Sequence, residues 1–252
     1  MKSFASFSFF LLFTAIASVQ SFTPPTLSSS SLPIFGLGAI LFRPKNLSIV
    51  LNEGDDQQLV ETAKFFTAAF WAGKAGGAAK LSPTQVRSLS NSQIAEFRKR
   101  YGGRLLKNKR DAKSEIIICK NSENNQVYGC AGIEVSKIST PNGKSVDFSA
   151  PLMSNLAVGK QVRRKGIAED LVKATEDLAR LKWGYNEVYL YVEKQNTPAL
   201  KLYKKLGYKV QWEDDTATTL IPTAKGNIVT QPTVILCMKK NLGAGFFGRF
   251  FD

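Results

Sequence analysis

Residues 153–208 read MSNLAVGKQVRRKGIAEDLVKATEDLARLKWGYNEVYLYVEKQNTPALKLYKKLGY, and this stretch decides the fold. It opens on a short apolar strand ending at Val158, followed by a basic glycine turn, Arg163-Arg164-Lys165-Gly166-Ile167-Ala168. Beyond the turn, Ile167, Leu171, Ala174, Leu178 and Leu181 recur at helical spacing and are expected on one face, with Trp183-Gly184 closing the helix. From Glu187 to Glu193 the period changes to two. Val188, Leu190 and Val192 face one way and Tyr189, Tyr191 and Glu193 the other, which predicts a strand. Asn196-Thr197-Pro198 then starts a second helix, because proline suits the first helical position. Ala199, Leu202, Tyr203 and Leu206 share a face of that helix and Gly207 ends it, completing a β-α-β-α unit.

The turn carries the chemistry. A helix start leaves backbone N–H groups without intrahelical partners and holds the positive end of the macrodipole, so it suits an anion. Gly166 lets the backbone approach a ligand closely, and three adjacent cations add charge, together what a pyrophosphate requires. Taken alone, the same short pattern is weak and reads more simply as a solvated basic helix cap.

Three motifs in order remove that ambiguity: N-L-A-V ending a strand, R-x-x-G-x-A opening a helix, and N-x-x-A-x-x-L-Y-x-x-x-G-Y. With them the sequence resembles the GNAT superfamily of acetyl-CoA-dependent N-acetyltransferases. The resemblance implies an α/β (α+β) fold, a mixed central sheet of about seven strands flanked by about four helices. It implies acetyl-CoA as co-substrate, an amine as acceptor, and direct transfer in a ternary complex. The backbone of Leu156, Ala157 and Val158 would pair with the pantetheine arm, and the backbone from Arg163, Arg164 and Lys165 through Gly166, Ile167 and Ala168 would wrap the pyrophosphate. Side chains in that turn would then tolerate change, while Gly166 would not. Tyr203 matches the family tyrosine that protonates the departing thiolate, although its place on an apolar helix face also suits packing. Asn196 matches the family asparagine beside the pantetheine, and it equally suits a helix N-cap. Bacterial ribosomal-protein N-acetyltransferases carry a glutamate five residues before the motif asparagine. Tyr191 occupies that position here, and Glu193, on the same strand face, lies about 7 Å further along. No single residue is assigned as the general base.

The remaining composition narrows the class. The chain has 252 residues, 44% of them apolar, and a formal net charge of +14. It contains no histidine, which excludes a histidine base and the ordinary zinc hydrolase sites. Cys119, Cys130 and Cys237 are unevenly spaced within expected strands and read as small core residues of a reduced compartment. Residues 1–21 combine Lys2, an apolar run from Phe9 to Ala17 and small residues near the end, the pattern of a signal peptide rather than a membrane span. Residues 22–45 are rich in serine and threonine and free of acids, as in a transit peptide. Phe22 at their start resembles the bipartite plastid presequences of algae, which implies the plastid stroma. Secretion is the rival, supported by the glycosylation-type triplet Asn46-Leu47-Ser48. Residues 1–45 hold three cations and no acid, so the remainder keeps +11 of the charge.

Residues 46–240 are expected to form the acetyltransferase domain and 241–252 a tail, GAGFFGRFFD being its aromatic part. The expected elements are a strand over Leu47 to Leu51, a helix from Asp55-Asp56 through Trp71, a helix from about Ser92 to Tyr101, and strands at Glu115 to Lys120 and Val127 to Lys137. A strand to Glu213, a long polar connection from Asp214 to Thr233 and a last strand from Val234 to Lys239 complete the domain. In GNAT relatives the first two helices wall the acceptor site, and the loop before the last strand covers an incoming peptide. Phe70 and Trp71 read as core. The acceptors implied are protein or peptide amines, N-terminal α-amines and lysines. A small amine is the second enzymatic possibility. A basic, non-catalytic binding module is the third, although the runs Arg98 to Arg100 and Lys107 to Arg110 lack the interleaved aromatics of a nucleic-acid surface and so make nucleic acid an unfavoured partner. Neither a metal nor stable membrane association is expected.

Overall fold

A computed structural model describes residues 46–52, 54–71, 81–102, 113–138, 148–222 and 228–243. The expected presequences, the small-residue segment from Gly73 to Lys80, the basic run at Lys107 to Arg110, the turn at Pro141 to Gly143 and the aromatic tail lie outside the described residues.

Among the described residues, nine strands and four helices follow in the order β1 (Leu47–Leu51), α1 (Asp56–Phe66), α2 (Pro83–Tyr101), β2 (Ser114–Asn121), β3 (Val127–Ile138), β4 (Phe148–Val158), α3 (Ile167–Asp177), β5 (Glu187–Glu193), α4 (Thr197–Lys205), β6 (Lys209–Asp214), β7 (Thr218–Pro222), β8 (Ile228–Pro232) and β9 (Ile235–Asn241). Seven strands form one mixed sheet in the order β1-β2-β3-β4-β5-β9-β6, and β7 and β8 form a separate antiparallel pair. Among the described residues of the large sheet, only β4 and β5 pair in parallel.

Alternation along the strands divides the apolar residues between two faces. Met153, Leu156, Val188, Leu190, Val192 and Met238 pack against α3 and α4 through Ile167, Leu171, Val172, Ala199 and Tyr203. Ile116, Cys130 and Ala157 pack against α1 and α2 through Leu59, Phe66, Phe70, Trp71 and Phe97. Phe70 and Trp71 are core residues, as expected, and all three cysteines are buried thiols outside any disulfide among the described residues.

Three expectations require correction. The second helix begins at Pro83, not near Ser92, because Ser82 caps it: its hydroxyl accepts from the Gln85 N–H while the Gln85 side chain accepts from the Ser82 N–H. Leu181 is 68% exposed instead of sharing the buried face with Ile167 and Leu171. The helix widens to a π-turn over Leu178–Lys182, where the Trp183 N–H bonds to the Leu178 carbonyl five residues back, and the extra residue rotates Leu181 into solvent. Finally, the connection after Asp214 contains the β7–β8 pair, registered from Thr218↔Pro232 to Pro222↔Ile228.

Candidate active site

The sheet opens between β4 and β5. Their parallel pairing consists of Leu152↔Tyr189 and Met153↔Leu190 and goes no further. Beyond Met153, β4 stays with β3 as far as Gly129↔Val158, whereas β5 stays with β9 as far as Glu193↔Ile235. The backbone of residues 154–158 therefore has an edge turned away from β3 and not laddered to β5. An extended ligand carrying amides can use such an edge as a further strand would.

A bulge produces the divergence. Cys130 faces Ala157 and Gly132 faces Ser154, so Ala131 alone opposes both Asn155 and Leu156. Asn155 takes the left-handed conformation, φ 54°, which asparagine adopts more readily than most residues. The bulge also shifts the facing of the strand: Met153 and Leu156, three residues apart, both reach the α3–α4 core.

The turn following β4 lies at the mouth of this opening. After a single 3₁₀ turn, Lys160–Val162, Arg164 and Gly166 are left-handed, at φ 63° and 81°. Gly166 is the N-cap of α3 and supplies no side-chain cap, in contrast to the caps supplied by Asp55, Ser82 and Asn196 to the other three described helices. Glu169 and Asp170 in the first turn of α3 would oppose an anion. Glu169 is compensated by Lys173 at 3.1 Å and Lys205 at 2.8 Å, and hydrogen bonds from these lysines hold its carboxyl below the usual range. Arg164 is exposed, while Arg163 and Lys165 are half-buried. The Arg163 Nε donates to the Val158 carbonyl at 3.0 Å, bracing the end of β4 against the turn, and burial lowers its pKa from the ordinary arginine value.

Of the expected site residues, Leu156, Ala157 and Ile167 are buried and Val158, Gly166, Ala168 and Asn196 half-buried. Asn196 is an N-cap, its side-chain oxygen accepting from the Ala199 N–H at 3.3 Å. Tyr203 is fully buried in the cluster that holds Leu156, Val192 and Ala199, with its ring edge-on to Tyr208 at 5.7 Å. Behind this pair Glu176 binds Lys240 at 2.6 Å, and the Tyr208 phenol is pushed well above its ordinary pKa, first by burial and then by the Glu176 charge.

On the opposite face, the β7–β8 pair approaches the opening. Leu220 packs on the α1–α2 cluster, and the Thr219 hydroxyl donates to the Glu193 carboxylate at 2.8 Å. The Gln195 amide donates to the other oxygen of Glu193 at 3.1 Å. Sequence reasoning missed this anchorage and the side chains that hold the bulge. The available signal for the bulge was the adjacent polar pair Ser154-Asn155 between apolar residues of the strand. Among the described residues, no group of three His, Cys, Asp or Glu side chains is placed to hold a metal, and no helix is long and apolar enough to cross a membrane.

Comparison with known proteins agrees with this geometry. The profile of the acetyltransferase (GNAT) family matches residues 84–208. GCN5-related N-acetyltransferase 7, chloroplastic, of Arabidopsis thaliana is 33% identical over 69 residues, 27% of this chain and 25% of that protein. An N-alpha-acetyltransferase of Sulfurisphaera tokodaii is 44% identical over 55 residues, 22% of this chain and 33% of that protein. The alignment thus spans a quarter to a third of the length of these curated relatives. The ribosomal-protein-S5-alanine acetyltransferase of Vibrio fischeri shares the fold at a TM-score of 0.52, with 12% identity over 79% of this chain and 95% of that one. The splayed strands, the uncapped glycine turn and the family match coincide on one segment: over residues 84–208 the chain carries an acetyltransferase domain of the GNAT family.

Proposed function

We propose that the protein is an acetyl-CoA-dependent N-acetyltransferase acting on protein amines, N-terminal α-amines foremost and lysines second. The opening between β4 and β5 carries this reading, because its free strand edge ends at a helix start with no side-chain cap. The pantetheine amides would pair with Leu156, Ala157 and Val158, and the pyrophosphate would sit on the backbone of residues 163–168.

Bound acetyl-CoA supplies an acetyl thioester. The acceptor nitrogen forms a bond to the acetyl carbon as the carbon–sulfur bond breaks, and the nitrogen loses one proton while the thiolate gains one. The Val158 N–H donates to the oxygen on which charge develops. Tyr203 supplies the thiolate proton, its helix closing the same cluster as Leu156. Glu193, held by Thr219 at the acceptor face, is the carboxylate nearest in sequence to receive the amine proton through water. An α-amine titrates near 8 and a lysine near 10.4, so at neutral pH the α-amine is unprotonated about 200-fold more often. The N-alpha-acetyltransferase relative favours the same acceptor. The chloroplastic relative and the composition of residues 22–45 favour a plastid location.

The test is acetylation by the protein lacking residues 1–45, offered a peptide library with free N-termini and internal lysines and read by mass spectrometry. Acetylated peptides are expected with the wild type, about 100-fold fewer with Tyr203→Phe, and none with Gly166→Glu, which places a strained, negatively charged residue where the phosphates lie. Acetyl-CoA binding without any modified peptide would transfer the assignment to a small amine. Absence of binding would remove the catalytic reading.

A further inference from the structure

The bulge in β4 is held by a buried polar relay that runs from α2 across β3. The Asn155 amide donates to the Tyr101 hydroxyl at 2.7 Å, and that hydroxyl shares a hydrogen bond with Ser154 Oγ at 3.2 Å. Arg100 Nη2 donates to the same Ser154 oxygen at 2.9 Å and to Glu134 at 2.7 Å, while its Nε donates to the other Glu134 oxygen at 3.3 Å. Cys130 adds a thiol hydrogen bond to the Asn155 carbonyl at 3.4 Å. Tyr101, Ser154 and Asn155 are all buried. β3 makes room for the relay at Gly132, where a Cβ would lie 2.0 Å from the Tyr101 oxygen.

These groups converge on the one non-glycine residue of β4 in left-handed conformation. A side-chain hydrogen bond that exists only in that conformation offsets its backbone cost. Relaxation of Asn155 to an extended conformation would remove the bulge, and a one-residue slip turns every following side chain to the other face. Leu156 would leave the α3–α4 core, and the N–H groups of residues 156–158 would point elsewhere.

We propose that Tyr101, Ser154 and Asn155, anchored by the Arg100–Glu134 pair, are positioning residues for acetyl-CoA. They fix the β4 bulge so that the backbone of residues 156–158 is presented to the pantetheine arm before it binds. This inference rests on the assignment of acetyl-CoA to the β4 edge. None of these side chains needs to touch the ligand.

The experiment is titration calorimetry with acetyl-CoA on the protein lacking residues 1–45, with melting temperature recorded for each variant. Tyr101→Phe removes the central oxygen, and Asn155→Gly keeps the left-handed backbone while removing the donor. Leu59→Val, in the same helical layer but outside the relay, controls for lost stability. Each relay variant is expected to weaken acetyl-CoA about tenfold, the effect of one lost hydrogen bond. The double variant should be little weaker than either single one, because both delete the same bond. Leu59→Val should stay within about twofold of the wild type. Wild-type affinity in a folded Tyr101→Phe, or equal losses in Leu59→Val at matched melting temperature, would overturn the proposal. Should Asn155→Gly fail to fold, Tyr101→Phe against the control decides. A wild type that does not bind acetyl-CoA would overturn the functional assignment itself.

Discussion

Arg163 and Arg164 are adjacent cations in one loop, yet they are placed for different tasks. The Arg164 side chain is exposed on a left-handed residue, while Arg163 is half-buried with its Nε on the Val158 carbonyl. If the loop holds phosphates by its backbone, an exposed cation adds only screened attraction. A residue that fixes the strand end adds geometry. Arg163→Met is therefore expected to weaken acetyl-CoA about tenfold at 0.15 M salt, and Arg164→Met by no more than about threefold. Raising the salt should further narrow the Arg164 effect and leave that of Arg163, which isothermal titration at two ionic strengths would resolve. Equal losses in both variants would mean that charge, not bracing, is what this turn contributes.

At the scale of the element, the π-turn at Leu178–Lys182 tests how far periodicity can be trusted. Helical spacing places Leu181 beside Leu171 and Leu178, but the wider turn puts it in water. Leu181→Glu should change the free energy of unfolding by less than about 0.5 kcal/mol, whereas Leu171→Ala, fully buried against the sheet, should cost about 2–5 kcal/mol in urea melts. The same contrast explains what could be read from the chain. The unit from Met153 to Tyr208 was legible because strand alternation, a glycine with positive φ and an asparagine cap are each local to a few residues. The start of α2 was also written locally, in Ser82-Pro83-Thr84-Gln85, and was passed over. The β7–β8 pair was not legible, since its strands are only five residues each and its order depends on Leu220 meeting the α1–α2 layer and Thr219 meeting Glu193. The bulge was hidden for the same reason. Its hydrogen bonds to Tyr101 join positions more than fifty apart in sequence, and no local pattern records that Tyr101 will lie over Gly132.

Taken as one body, the molecule stores several ionisable groups in neutral form, which sets its response to alkali. Burial raises the pKa of Tyr101 and Cys130, raises that of Tyr208 well above the ordinary tyrosine value, and pushes Cys237 up to about 12. A group whose folded pKa lies above its unfolded one stabilises the fold fully below the unfolded pKa and loses that contribution as pH rises towards the folded value. The unfolded values are about 8.5 for cysteine and 10 for tyrosine. Loss therefore begins near pH 9 through the thiols and steepens above pH 10, each buried group removing about 1.4 kcal/mol per pH unit beyond its unfolded pKa. An opposing effect comes from the net charge of +14, because lysines lose protons near 10.4 and self-repulsion falls. The two separate by salt. Screening acts on exposed lysines about a Debye length apart and hardly on groups inside the core. The urea midpoint is thus expected to fall steadily from pH 9 to 11 with nearly the same slope at 0.1 M and 1 M NaCl. Cys130→Ala and Cys237→Ala should delay the onset by about one pH unit, because tyrosine ionisation then leads. A midpoint that rises with pH at low salt and flattens at high salt would show surface repulsion to outweigh the buried tyrosines and thiols.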